Sequence, residues 1–349
     1  MSDGSTGGAT GIEETPSRST GVQVVCVGGG TGLSSLLSGL KTYVRRPRYK
    51  ETPGGSGPSI ERLTAVVTVS DDGGSSGRLR EEFQILPPGD IRNCIAALSD
   101  DETLFMRLFE HRFTGNGTLG GHSFGNLLLA ALTDVTGDFV KAVRMVGDVM
   151  AIKGTIYPAT LENVHLVATL ADGAVVHGET RISQSAVPIR GIRLEPDRCE
   201  PLPETLAAIG SAGLIVLGPG SLYTSIVPNL LVKGVADAVR SSPARKVYVC
   251  NLMTQAGETR GFTASRHART LAEAAGEGLL DTVLVNSRIP PESLVEKYRL
   301  EGAEVVRFDP EGFEGMGVAI VRADLMSASS LVRHDPASLA REILSLARE

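Results

Sequence analysis

Short apolar runs recur along the chain, and each of them ends in a polar or glycine-rich segment. The clearest runs are VQVVCV (22–27), LTAVVTV (63–69), LIVL (214–217), KVYVC (246–250) and TVLV (282–285). Continuous apolar runs that alternate with helical patterns are typical of parallel strands buried on both faces. The pattern therefore predicts an α/β fold with a mostly parallel sheet and flanking helices.

Helical patterns dominate the long segment between the second and third of these runs. Asp90 opens the helical segment DIRNCIAAL as its expected N-cap, and a longer helical stretch follows Ser123. Residues 154–200 differ, because alternating polar and apolar positions surround an ADG turn there. That alternation predicts a β-rich subregion built around a small β-hairpin.

Two segments lack the patterns of a folded core. Residues 1–20 have no apolar cluster, which predicts a disordered tail. Residues 45–62 are rich in Pro, Gly and Ser, which predicts a mobile loop inserted between the first helix and the second strand. We predict one α/β domain over residues 21–349, with this loop inside it.

Composition narrows the class of protein. A net charge of −6 gives no basic footprint for nucleic acid. The four cysteines are far apart in the sequence, which favours a reduced, cytoplasmic chain. No apolar segment is long enough to span a bilayer, and the six histidines lack the spacing of a zinc site. We therefore predict no nucleic-acid partner, no transmembrane segment and no zinc-type metal site.

The first glycine-rich loop, GGGTGLSS, follows the first apolar run directly. It departs from the dinucleotide fingerprint because Leu33 stands where a third glycine belongs, and from the Walker motif because no lysine precedes Lys41. Glycine backbone N–H groups that lead into a helix N-terminus can still bind a phosphate. A tight strand-to-helix turn without a ligand is the alternative interpretation.

Two acids follow the second predicted strand, where a dinucleotide-binding fold places a carboxylate for a ribose. Once residues 45–62 are set aside, Asp71 lies about twenty residues after Gly32, as that arrangement requires. Asp71 and Asp72 are therefore candidates for binding a ribose hydroxyl or a hydrated Mg²⁺. The alternative is a pair of aspartates in a solvated turn.

A second glycine-rich turn, GPGSLYTS, follows the third apolar run. Gly218 and Gly220 open this turn, and Ser221 supplies the first of its hydroxyl groups. Parallel sheets bind ligands beyond the carboxyl ends of their strands. Two such turns therefore predict a site for two phosphates, or for a phosphate and a sugar.

A separate match, GHSFG (121–125), fits the nucleophile elbow of α/β-hydrolases and would make Ser123 a nucleophile. That elbow requires a strand directly before it, and the preceding residues FTGNGTLG cannot form a buried strand. Ser123 fits better as the N-cap of the following helix, with His122 and Asn126 lining the loop.

Seven segments, taken in order, resemble one family. They are VVCVGGGTGL, AVVTVSDDGGSSGRLR, ILPPGDIRNCIAALSD, GHSFGNLLLAALT, YPATLENVHL, LIVLGPGSLYTSIVPNLLV and VYVCNLMTQAGET. Over about residues 22–345 the chain resembles the YvcK branch of the CofD/YvcK family, whose members are called gluconeogenesis factors. Two segments, GGGTGLSS and GPGSLYTSIVPNLL, follow the pattern of this branch and not that of its sister branch, CofD.

The resemblance implies a Rossmann-like fold and a cytoplasmic protein that binds UDP-sugars, notably UDP-N-acetylglucosamine. It implies a regulatory role in growth on gluconeogenic carbon and in cell-wall morphogenesis, with no firmly assigned cofactor or reaction. We expect a homo-oligomer, with scope for regulatory protein partners. The sister branch implies a 2-phospho-L-lactate transferase that uses a deazaflavin and Mg²⁺. Three function classes stay open: a UDP-sugar-binding regulator, a CofD-like transferase and an NAD-binding protein.

The resemblance also implies which residues bind the ligand. The ligand phosphate is expected at Gly29, Gly30, Thr31 and Gly32. Around the nucleoside we expect Asn126, Ser221, Asn251, Met253 and Thr254. Tyr298 is a distal candidate for stacking or hydrogen bonding, and Arg333 is one for pairing with a diphosphate. Their alternative interpretations are a half-buried helix aromatic and a surface arginine.

Overall fold

The computed structural model describes residues 21–45, 58–100 and 104–347. The predicted disordered tail, residues 1–20, lies outside the described residues, and so does most of the predicted loop insert. The last residues of that insert belong to a strand that begins at Ile60, so the connection ends earlier than predicted.

Ten strands form two sheets in the described part of the chain. In chain order they are β1 (Val22–Gly28), β2 (Ile60–Val67), β3 (Thr155–Pro158), β4 (His165–Leu170), β5 (Val175–His177), β6 (Ile189–Glu195), β7 (Leu214–Leu217), β8 (Arg245–Val249), β9 (Thr282–Asn286) and β10 (Ala319–Ala323). Seven of them form one sheet in the order β10-β9-β8-β7-β1-β2-β3, and every pairing in it is parallel. The predicted α/β fold with a mostly parallel sheet is confirmed.

Thirteen α-helices of the described residues accompany these strands. They are α1 (Gly30–Leu40), α2 (Gly74–Phe83), α3 (Gly89–Leu98), α4 (Leu104–Glu110), α5 (Phe124–Thr136), α6 (Phe139–Val149), α7 (Glu179–Ser183), α8 (Pro203–Gly210), α9 (Val227–Leu231), α10 (Val235–Ser241), α11 (Ala264–Ala275), α12 (Glu292–Leu300) and α13 (Pro336–Leu346). A π-helical turn, Leu222–Ile226, precedes α9, and two 3₁₀ turns cover Lys41–Tyr43 and Pro310–Phe313.

The order of the main sheet reverses at β1. β2 and β3 extend the sheet on one side of β1, and the chain then returns to place β7 on the other side. This is the strand order of a doubly wound Rossmann fold, extended by one strand. Such sheets bind their ligands in the crevice beyond the carboxyl ends of the two strands at the reversal. The crevice between β1 and β7 is therefore the expected site.

The first helix is fixed firmly beside this crevice. Its residues Leu33, Leu36, Leu37 and Leu40 are fully buried, at the spacing of one helix face. Full burial of a leucine side chain stabilises a fold by about 1.5–3 kcal/mol. α1 packs against α3 and α13 as well as the sheet, so its N-terminus has a defined position at the mouth of the crevice.

The three remaining strands form a small antiparallel sheet in the order β5-β4-β6. The predicted β-hairpin is confirmed, because β4 and β5 pair around the ADG turn. The β-rich subregion is narrower than the predicted residues 154–200, because β3 pairs with β2 and so belongs to the main sheet. β3 is a sheet edge with alternating burial, and this alternation is what a hairpin strand also shows.

The predicted N-cap role of Asp90 is wrong. α3 begins one residue earlier, at Gly89, with Pro88 in the N-cap position. The Asp90 carboxylate instead accepts a hydrogen bond from the backbone N–H of Gly30. Because Gly30 is the first residue of α1, the acid satisfies the N-terminus of a neighbouring helix and not that of its own.

None of the described helices is both long enough and apolar enough to cross a bilayer. All four cysteines are buried and unpaired. Burial raises the pKa of the Cys250 thiol to about 12, so this thiol stays protonated and behaves as a small apolar side chain.

Candidate functional site

The glycine-rich loop after β1 contacts the loop after β7 directly. Gly30 has a φ of +64°, a left-handed conformation that glycine adopts without strain. A side chain on Gly32 would overlap the carbonyl oxygen of Pro219, and a Cβ on Gly29 would lie 2.5 Å from Asp90 Oδ2. Glycine at these positions therefore lets the two strand-end loops meet with no side chain between them.

The loop after β7 is held by side chains from the loop after β8. Asn251 Nδ2 donates to the Gly220 carbonyl at 2.8 Å, and Asn251 Oδ1 accepts from the Gly220 N–H at 3.3 Å. Gln255 Nε2 donates to Ser221 Oγ at 2.7 Å. The carboxyl ends of β1, β7 and β8 are thus joined into one continuous wall.

This wall encloses a cleft of about 330 Å³, which most of the predicted ligand-binding residues line. The predicted residues in its lining are Gly29, Gly30, Thr31, Gly32, Gly220, Ser221, Asn251, Met253, Thr254, Tyr298 and Arg333. The lining also includes residues that were not among the predicted ligand-binding positions: Ser35, Pro219, Ser225, Leu252, Gln255, Val332 and His334. Gly218 lies behind the turn, where a Cβ would meet Ile226 and the Val249 carbonyl.

Tyr298 and Arg333 form a further part of the cleft wall. Tyr298 is half-buried on α12 and packs against the apolar cluster of Leu252 and Met253. Its hydroxyl accepts a hydrogen bond from the Val332 N–H at 3.2 Å. Arg333 follows as an exposed side chain that forms no ion pair with any described residue. The wall therefore presents one cation whose charge is free for a ligand.

Two buried polar atoms in the cleft lining lack a hydrogen-bond partner in the described structure: Gln255 Oε1 and His334 Nε2. Burial lowers the pKa of His334 to about 4, and a hydrogen bond to the Cys250 backbone opposes this shift. The imidazole is therefore neutral near pH 7. Buried polar atoms are nearly always paired, so these two atoms are candidates for bonds to a ligand. His334 directly follows the predicted residue Arg333 in the segment LVRHDP, and this position is the sequence feature that could have identified it as a candidate.

Thr254 shapes the cleft through its backbone connections. Its N–H donates to the Glu304 carbonyl at 2.7 Å, and its Oγ1 accepts from the Glu304 N–H at 2.9 Å. Met253 lies next to it in an isolated bridge with Val305. These bonds fix the loop after β8 against the segment that follows α12.

Asp71 and Asp72 lie at the carboxyl end of β2, outside the lining of the cleft. Asp72 Oδ1 accepts from both the N–H and the Oγ1 of Thr180, at 2.9 and 2.8 Å. Asp72 thereby attaches α7, which follows the small sheet's β5, to the main domain. Asp71 Oδ1 accepts from the Gly73 N–H at 2.8 Å, and burial raises the pKa of Asp71.

Several carboxylates lie close together below the glycine loop. Burial raises the pKa of Glu179 to about 9, with added repulsion from Asp71, Asp90 and Glu258. Burial also raises the pKa of Asp90 to about 6, against the stabilising Gly30 N–H. Near pH 7 the Glu179 carboxyl therefore keeps its proton, which relieves the repulsion among its neighbours.

Glu258, one of these neighbouring acids, supports the turn after β7. Its carboxylate accepts from the Tyr223 N–H at 3.1 Å and from Thr224 Oγ1 at 3.0 Å.

Across the described residues, no three His, Cys, Asp or Glu side chains are arranged to hold a metal ion. Mg²⁺ often binds through one or two carboxylates plus waters and phosphate oxygens, and Asp71 and Asp90 are the acids suited to that arrangement.

The GHSFG segment forms a helix start and not a nucleophile elbow. Ser123 is fully buried and caps α5, with its Oγ accepting from the Asn126 N–H at 3.3 Å. The predicted N-cap is confirmed. His122 Nδ1 lies 3.0 Å from Ser75 Oγ, and Asn126 Nδ2 donates to the same hydroxyl at 3.1 Å. These two side chains thus join α5 to α2, and neither lines the cleft.

Comparison with known families matches most of the chain. Residues 24–326 match the family described as 2-phospho-L-lactate transferase CofD. The chain is 46% identical over 328 residues to the gluconeogenesis factor of Bacillus subtilis, covering 94% of this chain and 98% of that protein. It is 43% identical to the gluconeogenesis factor of Halalkalibacterium halodurans, covering 92% of this chain and 95% of that protein.

A solved structure also resembles this protein over most of its length. A crystal structure of a Bacillus halodurans protein superposes with a TM-score of 0.86 at 43% identity, covering 93% of this chain and all of that one. On these similarities, the chain belongs to the CofD/YvcK family.

Proposed function

We propose that this protein binds a UDP-sugar in the cleft between β1 and β7, with UDP-N-acetylglucosamine as the reference ligand. The observation that carries the proposal is the unpaired Arg333 in the same cleft as the glycine loop Gly29–Gly32. Backbone N–H groups at a helix N-terminus and an arginine fork are the two protein features that suit a diphosphate.

The polar atoms deeper in the cleft support a nucleoside at its other end. Gln255 Oε1 is an acceptor, and Nε2 of the neutral His334 is an acceptor as well, because the N–H of that ring is donated to the Cys250 backbone. The ring N–H of a uracil is a donor that suits such an acceptor. Tyr298 and Met253 supply apolar surface for the ring or the sugar.

The proposed role is regulatory. The relatives in Bacillus subtilis and Halalkalibacterium halodurans are named gluconeogenesis factors, and we propose the same role here, in support of growth on gluconeogenic carbon and of normal cell shape. The proposed setting is the cytoplasm, in agreement with four unpaired cysteines. A homo-oligomeric state and regulatory protein partners stay predictions.

A CofD-like transferase is the second candidate. It is favoured by the family match and by the carboxyls of Asp71, Asp90 and Glu179 beside the glycine loop. Mg²⁺ bound at Asp71 and Asp90 would neutralise phosphate charge during transfer. Glu179 holds a proton near pH 7, and Asp71 accepts hydrogen bonds through the adjacent turn.

Calorimetry on the wild type and on Arg333→Gln tests the binding site. UDP-N-acetylglucosamine, UDP, uridine, GDP and NAD are titrated separately. We expect Arg333→Gln to weaken binding of UDP-N-acetylglucosamine and UDP by about 1.5–3 kcal/mol, as for a lost charged hydrogen bond, and to leave uridine unchanged. Arg341→Gln, an exposed arginine on α13, is the matched control. Equal affinities in wild type and Arg333→Gln would contradict the proposed diphosphate position, and binding of NAD alone would favour the third class.

Mass spectrometry of the ligand pool separates regulator from transferase. The protein is incubated with Mg²⁺ and UDP-N-acetylglucosamine, and in a second mixture with a deazaflavin and an activated lactyl phosphate. We expect the UDP-sugar to be recovered unchanged and the second mixture to stay unreacted. Stoichiometric formation of a phospholactyl deazaflavin would establish the transferase in place of the regulator.

A further inference from the structure

A second concave site lies on the same edge of the main sheet, at the carboxyl ends of β8, β9 and β10. It has a volume of about 180 Å³. It shares Asn251 and Leu252 with the cleft between β1 and β7, which we call the nucleotide cleft after the function proposed for it. Three arginines line it, Arg288, Arg307 and Arg322, and we name it the three-arginine pocket after them. None of its described lining residues is acidic.

The charge in this pocket is largely uncompensated. Arg288 has one acidic neighbour, Asp324, at 3.8 Å. Arg307 and Arg322 form no ion pair with any described residue. The chain as a whole has a net charge of −6, so this is a local excess of positive charge against an acidic background. Such a concentration of one sign in a concave site attracts a ligand of the opposite sign.

The three arginines are anchored on separate, well-fixed pieces of backbone. Arg322 lies inside β10, in register with β9. The Arg307 carbonyl accepts from the N–H of Ala264 at 2.9 Å. Arg288 lies in a turn where Asn286 Nδ2 donates to the Arg288 carbonyl at 2.6 Å, and Asn286 Oδ1 accepts from its N–H at 3.3 Å. Their side chains therefore start from fixed positions around one pocket.

One of these side chains is also oriented by an aromatic ring. The Arg322 guanidinium lies over Phe308, 4.5 Å from the ring centroid. Stacking on an aromatic face holds the guanidinium plane while leaving its N–H groups at the edge available. Val306 and Phe308 add apolar surface to the pocket, which suits an anion carried on a small organic molecule.

We propose that the three-arginine pocket is an anion site for a phosphate or carboxylate group. Arginine recognises both groups through paired N–H donors. Two sources offer this chemistry: an acidic group on the sugar of a nucleotide-sugar held in the neighbouring cleft, which rests on the function proposed above, or a separate phosphorylated metabolite. The shared residues Asn251 and Leu252 place either occupant directly beside the nucleotide cleft.

Inorganic phosphate, titrated by calorimetry at low ionic strength, is the first probe. The wild type is expected to bind it saturably, and Arg307→Gln/Arg322→Gln to bind it roughly tenfold more weakly or not at all, since two charged donors are lost. The control is Arg266→Gln/Arg299→Gln. Arg266 is likewise stacked on an aromatic ring, Phe262, but pairs with Glu273 outside the pocket. Thermal unfolding of all variants checks that each is folded, and the single variants replace the double one if it is not.

Arg333→Gln separates this proposal from the nucleotide proposal. It removes the cation of the nucleotide cleft and leaves the three-arginine pocket complete, so phosphate binding at the pocket is expected to persist in it. This expectation for phosphate binding holds even if UDP-sugars prove not to bind. Loss of phosphate binding in Arg333→Gln together with unchanged binding in Arg307→Gln/Arg322→Gln would place the anion in the nucleotide cleft and overturn the proposal.

UDP-glucuronic acid and UDP-glucose identify the source of the anion, because they differ by a carboxylate in place of a hydroxymethyl group. A preference of roughly fivefold or more for UDP-glucuronic acid, absent from Arg307→Gln/Arg322→Gln, would assign the pocket to the sugar. Phosphate binding without that preference would assign it to a separate metabolite. The proposal fails if phosphate affinity is equal in wild type and double variant and neither shows the preference.

Discussion

The side-chain amide of Asn251 forms two hydrogen bonds with the backbone of Gly220, donating at 2.8 Å and accepting at 3.3 Å. An amide side chain can pair with a peptide group in this way because it carries both a donor and an acceptor. The loop after β7 is therefore tied to the loop after β8 by a side chain. This geometry gives Asn251 the role of holding one wall of the cleft in place.

Asn251→Asp should disrupt this pairing. A carboxylate can accept from the Gly220 N–H but repels the Gly220 carbonyl, so one bond is replaced by a repulsion. We expect the free energy of unfolding to fall by about 1–3 kcal/mol, with weaker binding of UDP-N-acetylglucosamine. Urea denaturation and calorimetry measure the two effects. The control is Asn116→Asp in an exposed loop, and an Asn251→Asp variant as stable as this control would argue against the holding role.

Gly32→Ala should separate the two strand-end loops. The added methyl group would overlap the Pro219 carbonyl oxygen, so the backbone must move, at an expected cost of about 1–3 kcal/mol. Gly210→Ala is the matched control, because its Cβ would meet no atom within 4 Å. Thermal unfolding and UDP titration are the measurements. If Gly32→Ala binds UDP with wild-type affinity, close packing of the loops is not required for the site.

Glu179 should make the protein less stable as the pH rises. Its pKa is raised from an ordinary 4.5 to about 9 by burial and neighbouring acids, so the folded state holds the proton more tightly than the unfolded state does. The resulting stabilisation is complete below pH 4.5 and is lost as the pH rises towards 9. We expect a slope of up to about 1.4 kcal/mol per pH unit within that window, measured by urea denaturation.

Glu179→Gln should remove much of that slope, because the amide stays neutral throughout. Glu204→Gln, at an exposed position on α8, should keep the wild-type slope. Parallel pH profiles for wild type and Glu179→Gln would show that another group accounts for the pH dependence.

Ser123→Ala tests the helix cap against the nucleophile. Loss of the cap on α5 should lower the free energy of unfolding by about 1 kcal/mol, while UDP affinity stays unchanged because Ser123 lies outside the cleft. Ser241→Ala, exposed at the end of α10, should change stability by less than about 0.5 kcal/mol. Abolition of a hydrolytic activity by Ser123→Ala would favour the elbow interpretation.

The cleft could be predicted well from the sequence because strand-end loops share one edge of a parallel sheet. The apolar runs predicted that the loops with Gly30 and Ser221 share that edge, and the family resemblance added Asn251. Gln255 lies inside the segment VYVCNLMTQAGET and His334 follows Arg333 directly, but neither was named as a candidate, because their unpaired buried atoms become visible only in the packed structure.

The acids and the edges of the fold were harder to place. Asp72 has the position of a ribose-binding acid, but it bonds to Thr180, more than a hundred residues further along the chain. β10 was not among the predicted strands, although its sequence contains the short apolar run VAIV (318–321). It is an edge strand, so its residues are half-buried or exposed. β3 was grouped with the hairpin for a related reason, since four residues of alternating burial do not specify their partner.

The place of β1 between β2 and β7 has consequences for how the protein folds. Val24 of β1 is opposite Leu63 of β2 on one side and Leu214 of β7 on the other. The pairing of Val24 with Leu214 joins residues that are far apart in the sequence. Closing the segment between them costs chain entropy before the pairing contributes any stability. On a ribosome, the GGGTG loop emerges long before the GPGSLYTS loop that it must contact. A partly synthesised chain therefore cannot form the cleft, which is complete only when the C-terminal half has joined the sheet.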